Sequence, residues 1–234
     1  MKSAVAKAKN DATALEDLGR ATMQIVHDLK NQLNGLKLYA TYLRKRLDRE
    51  DRTAEERETL AKLIVGLDRA AKDMTALVRY AQPVELRRQP RVNLEKIISD
   101  LVHDLGTRET GGLPPITIGT RFEDTDLFGE FDTIALTQAI NEITDDVRTA
   151  IKSKEPPQLS LHVTREQNDG SSEALIEWRG ANRMARNNSF SSSIACGTVH
   201  SALGARIIEA HGGRVQCDAD TVRVWLPLIN STQS

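Results

Sequence analysis

The chain has 234 residues, enough for one large domain or two small ones, and only 4% of them are aromatic, so its cores must be built from Leu, Ile, Val and Ala. A formal net charge of −1, from 32 basic and 33 acidic residues, gives no field for nucleic acid or an anionic membrane and points to a protein partner instead. The segment 1–15 lacks the apolar run of a signal peptide and no stretch approaches membrane-spanning length, so a cytoplasmic protein is expected.

Residues 14–47 contain no Pro, and apolar side chains recur there in a four-three rhythm: Leu18, Ile25, Leu29, Leu36, Tyr39 and Leu43. A polar stretch, 48–58, interrupts the pattern, and Thr53 with Glu56 has the form of a capping box. The rhythm resumes at Leu60, Ile64, Leu67, Ala71, Met74 and Val78, until Pro83 ends it. Two long helices with a short connection make an antiparallel hairpin. A lone hairpin leaves its apolar stripe half covered. Burying the rest against a second copy gives a four-helix bundle, so a homodimer is expected.

After a basic connector at 84–90 the texture changes, which divides the chain into domains 1–90 and 91–234. An amphipathic helix is read at 94–105, a loop at 111–115, a strand at 116–122 and a helix at 133–152. Strands at 159–165 and 174–178 flank a turn at 168–170, and the Asn- and Ser-rich segment 181–193 reads as mobile. A helix at 199–210 is stopped by Gly212 and Gly213, and strands near 214–218 and 222–228 close the chain. The fold class is therefore α+β: an N-terminal helical hairpin followed by an α/β sandwich. Cys196 and Cys217 read as idle thiols, and no His or Cys pair has metal-ligand spacing, so no metal site is expected.

Each helical residue turns by about 100°. With Ile25 and Leu29 on the seam, His27 falls on the opposite, water-facing side, with Asn31 one turn further on. Asp28 adjoins the imidazole. A neighbouring carboxylate can hold one ring nitrogen protonated and leave the other free to attack phosphorus. His103, His162 and His211 read as structural or exposed.

The run His27-Asp28-Leu29-Lys30-Asn31-Gln32-Leu33 resembles the H-box of two-component sensor histidine kinases, with Gln32 where Pro is usual. The resemblance implies His27 as phospho-acceptor, Asp28 as its general base and Asn31 as the residue that orients water during dephosphorylation of a response regulator. The second half resembles the ATPase domain of that family. The run 206–215, containing Glu209-Ala210-His211-Gly212-Gly213, is similar to the end of its last helix, and 222–227 to its final strand. Glu142 matches the acidic N-box residue, and Asp146 stands where the family places a magnesium-binding Asn. An Asp can still serve a hard cation.

Other boxes depart. The Asp-x-Gly-x-Gly segment, whose Asp accepts the adenine amino group, reads Trp178-Arg179-Gly180-Ala181-Asn182, and the only polar group of Trp is a donor. Thr198-Val199-His200-Ser201 replaces the Gly-x-Gly that brings backbone amides to phosphate. A weak, degenerate nucleotide site at Glu142, Asp146 and Gly180 is the expectation, with no cofactor unless it still takes ATP and magnesium.

The implied function is His–Asp phosphotransfer through His27, to or from a response-regulator receiver domain. Two alternatives stand: a soluble histidine kinase that autophosphorylates His27 with ATP, and a non-enzymatic dimeric adaptor that docks a receiver or a kinase. All three would use a surface on the first helix near Leu38, Ala40 and Thr41.

Overall fold

The computed structural model describes residues 26–45, 54–107, 117–150, 158–168, 171–179, 198–218 and 221–229. Outside them lie the helix start before residue 26, Thr53, the 111–115 loop, most of the 168–170 turn, Gly180, the 181–193 segment and Cys196. The chain forms two compact units, Met1–Gln82 and Pro83–Ser234, divided at the proline that stops the helical pattern.

In the first unit, α1 (residues 26–45) and α2 (Ala54–Ala81) are the helices the periodicity predicts. The Lys37 ammonium lies 2.5 Å from the Asp68 carboxylate and joins them. That hydrogen bond holds the Asp68 carboxyl below its ordinary value. The face buried within the unit carries Val26 and Ala40 on α1, with Ala71 and Ala76 on α2. This differs from the expected seam. Leu29, Leu36, Tyr39 and Leu43 remain 42%, 54%, 68% and 46% exposed. One hairpin covers only one side of α1, and small alanines allow the closest approach there, so the larger repeat residues stay on the uncovered side. Ala40, expected on a docking surface, is buried at 4% exposure.

The second unit runs β1 (Gln89–Asn93), α3 (Leu94–Thr107), β2 (Thr117–Phe122), β3 (Phe128–Phe131), α4 (Thr133–Ala150), β4 (Gln158–Asn168), β5 (Ser171–Arg179), α5 (Val199–Ala210), β6 (Arg214–Cys217) and β7 (Val222–Pro227). The main sheet has the order β2-β4-β5-β7-β6, with β2 and β4 parallel and the other neighbours antiparallel. Leu159, Leu161 and Val163 alternate into the core, as do Ala174, Ile176 and Trp178 on β5 and Val222, Val224 and Leu226 on β7. One face of the sheet is thus apolar and packs on the helices, while the intervening positions form a polar face.

Two strands were not read from the sequence: β1, which begins at the end of the connector, and β3, between the 116–122 strand and the 133–152 helix. β1 pairs antiparallel with β3 as a separate two-stranded sheet. Its alternation is broken because the register shifts between Gln89 and Val92 and Arg91 has φ +52°. Cys217 is disulfide-bonded, which corrects the reading of an idle thiol; spacing along the chain does not encode which cysteines meet.

The helix ends are set locally. Asp132 Oδ1 accepts from Ala135 N at 3.0 Å at the start of α4, and this bond leads the interactions that hold its carboxyl below the ordinary range. Thr198 caps α5, and Gly212 ends it at φ +83°. His211, only 1% exposed, locks that end to the start of α4. Its Nδ1 donates to Ile207 O at 2.8 Å, and its Nε2 accepts from Asp132 N at 3.1 Å. The bond accepted at Nε2 requires the neutral ring, and burial holds its pKa below the ordinary 6.5.

The unfolded chain therefore takes up this proton first. Stability supplied by neutral His211 is complete above 6.5 and is lost as the pH falls from there through the folded-state value. In urea titrations of the chain, the second unit should weaken as the pH falls below 6.5, and His211→Gln should flatten that dependence. An unchanged slope in the variant would assign the loss to other groups.

Candidate functional site

The hairpin brings His27, Asp28 and Asn31 together on the water-facing side of α1. The side chains of His27 and Asp28 are 56% and 58% exposed. Asn31 Nδ2 lies 3.4 Å from His27 Nδ1, and Asp28 Oδ1 lies 3.6 Å from the same nitrogen. The two neighbours favour opposite tautomers. The Asn31 amide donates to an unprotonated Nδ1, whereas Asp28 is complementary to Nδ1–H. The second form places the lone pair on Nε2, the nitrogen turned away from both, and this is the form competent to attack phosphorus.

In the sandwich, helical spacing puts Glu142 and Asp146 one turn apart on the side of α4 that meets α5. Both carboxylates are engaged by the first turn of α5. His200 Nδ1 lies 2.5 Å from Glu142 Oε2, and Ser201 Oγ donates to Asp146 Oδ2 at 2.5 Å within the interior. The helices approach so closely at Gly204 that an added Cβ would lie 2.9 Å from Ala139 O and 2.9 Å from Ile143 Cγ1. The amides at the N-terminus of α5 are also occupied. Thr198 Oγ1 accepts from Ser201 N at 3.2 Å, and Thr198 O accepts from Ala202 N at 3.0 Å.

Trp178 completes this region from the β5 side. Its indole is fully buried against α4 and donates to Thr144 Oγ1 at 2.9 Å, and that hydroxyl donates on to Ile140 O at 2.7 Å. No acceptor is left on this side chain for an adenine amino group. Gly180 lies outside the described residues.

The residues present do not fit a magnesium–nucleotide complex. A cation at Glu142 and Asp146 would have to displace an imidazole and a buried hydroxyl, and phosphate would meet amides already used in a cap. Among the described residues, no cluster of three or more His, Cys, Asp or Glu side chains could hold a metal ion, and no helix is long and apolar enough to cross a membrane.

Sequence reasoning placed Glu142 and Asp146 but missed their partners. The loss of Gly-x-Gly marked His200 as an obstruction; it did not show the ring turned onto a carboxylate. The register between α4 and α5, set by Gly204, supplies that pairing.

No protein-family model matches the chain, and no curated protein does. Two solved structures are similar to it. The crystal structure of full-length ShkA in complex with AMPPNP superposes with a TM-score of 0.55 at 16% identity, over 88% of this chain and 44% of that one. The histidine kinase AdeS of Acinetobacter baumannii gives 0.53 at 12% identity, over 87% of this chain and 98% of that one. The chain spans less than half the length of ShkA. Its architecture, a helical hairpin followed by an α/β sandwich, resembles the folds of these two structures, as the sequence led us to expect.

Proposed function

We propose that this chain is a two-component phosphotransfer protein, in which His27 exchanges a phosphoryl group with the aspartate of a response-regulator receiver domain. The observation that carries the reading is the contrast between its two sites. The exposed imidazole has a carboxylate and an amide at Nδ1, while the carboxylates of the ATPase-like unit are taken up by α5.

An aspartyl phosphate is already activated, so transfer from it needs no nucleotide. Nε2 of His27 attacks phosphorus as the bond to the aspartate oxygen breaks and the receiver carboxylate leaves. The positive charge that develops on the ring faces Asp28, which can take the Nδ1 proton. Transfer in the other direction is the same step reversed. Asn31, one turn along the exposed face, is placed to orient water or the incoming phosphoryl oxygens.

The uncovered stripe supports a homodimer. Leu29, Leu36 and Leu43 repeat every seven residues, and Tyr39, Leu63 and Val65 are further large apolar side chains left exposed on the hairpin. A second copy buries this stripe as a four-helix bundle. Receiver docking then falls on exposed α1 residues below His27, such as Leu38 and Tyr42, at 69% and 59% exposure.

In sedimentation velocity the chain should run as a dimer, and Leu36→Asp should shift it to monomer; a wild-type monomer at about 10 μM would remove the bundle from the account. Mixed with a receiver domain carrying labelled phosphate, the chain should acquire acid-labile label without ATP, and His27→Ala should acquire none. Unlabelled wild type against every receiver of the source cell would refute the phosphotransfer reading. Autophosphorylation from magnesium and ATP would instead establish a kinase.

A further inference from the structure

On the side of α4 away from Glu142 and Asp146, the second unit holds a cavity of about 380 Å³ between β1, α3 and α4. Both helices leave from the small sheet. α3 follows β1 directly, and Thr133 Oγ1 at the start of α4 lies 3.5 Å from Gln89 Oε1. Lys96, Asp100 and Asp104 follow one another by single turns of α3, about 6 Å each, so the wall grades from cationic near the sheet to anionic further in. Thr133, Thr137 and Asn141 make the same single-turn steps along α4.

Two features inside this cavity are unexplained by folding alone. The carboxamide oxygen of Asn141 is buried and has no hydrogen-bond partner, a penalty that a bound donor would relieve. At the other end, β1 bulges, and Arg91 adopts the left-handed conformation at φ +52°, where an L side chain is strained. A bulge of this kind re-aims a side chain; Arg91 lines the cavity, with its guanidinium carbon 5.5 Å from the centroid of the Phe128 ring.

We propose that this cavity binds a free amino acid. Its ammonium donates to Asn141 and is balanced by Asp100 and Asp104, its carboxylate pairs with Arg91 and Lys96, and an apolar side chain lies on Ile97 and Leu101. A zwitterion is complementary to both the cationic step at Lys96 and the anionic step at Asp100. A metal ion would find no third carboxylate or imidazole among the lining residues, and a cavity of this volume is large enough for an amino acid. The inference rests on the second unit alone and does not depend on phosphotransfer.

The test is calorimetric titration of the full chain with L-leucine, followed by the other common amino acids. Saturable binding with a Kd at or below about 1 mM is expected for at least one. N-acetylation or amidation of that amino acid should abolish binding. Asn141→Leu and Arg91→Gly should each weaken it by at least about tenfold. Arg91→Gly should also raise the thermal midpoint, since glycine tolerates the left-handed conformation, and this shows that its loss of binding is not a loss of fold. Absence of binding by every amino acid, equal binding of the N-acetyl form, or unweakened binding by Arg91→Gly would overturn the proposal.

Discussion

The packing of α5 on α4 is the constraint on which the rest of the second unit depends. Gly204 lets the two helices come into backbone contact, and this fixes the register that sets Ser201 against Asp146 and His200 against Glu142. A hydrogen bond to a carboxylate contributes about 1.5–3 kcal/mol, and removing one partner of a buried pair costs the desolvation of the other as well. Opening this face to a cation would forfeit both bonds. The fold is therefore kept by contacts that occupy both carboxylates of α4. Trp178 adds a full indole to the same region and uses its single donor on Thr144.

That arrangement bears directly on His27. Its chemistry needs an exposed ring, a partner at Nδ1 and an activated phosphoryl donor. The first two are present on α1. The carboxylates of the sandwich are engaged by α5, whereas in the phosphotransfer we propose a receiver aspartate would supply the third ready-made. The uncovered Leu29–Leu36–Leu43 stripe is the surface that the proposed second copy would bury.

Much of the fold was legible because its signals are periodic or positional. The stripes on α1 and α2, the alternation on β4 and β5 and the Gly212–Gly213 stop each state a local preference that tertiary structure upholds. The small sheet was not legible, because Pro90 and the left-handed Arg91 break the alternation that would reveal β1. The hairpin seam was misjudged for another reason. Periodicity shows which residues want burial, but it does not say whether the partner helix or a second chain covers them, and alanines won the nearer contact. At the site, Glu142 and Asp146 could be read from spacing on one helix. Their pairing with His200 and Ser201 depends on how two distant segments meet, which no local pattern carries.

The most direct test of the central claim is calorimetric titration of the full chain with AMPPNP and magnesium. The account predicts no saturable heat at about 1 mM nucleotide, with gain of binding in a variant carrying both His200→Gly and Ser201→Gly. Micromolar binding by the unaltered chain would contradict it, because the α4–α5 contacts would then have to open for a ligand they are held here to exclude.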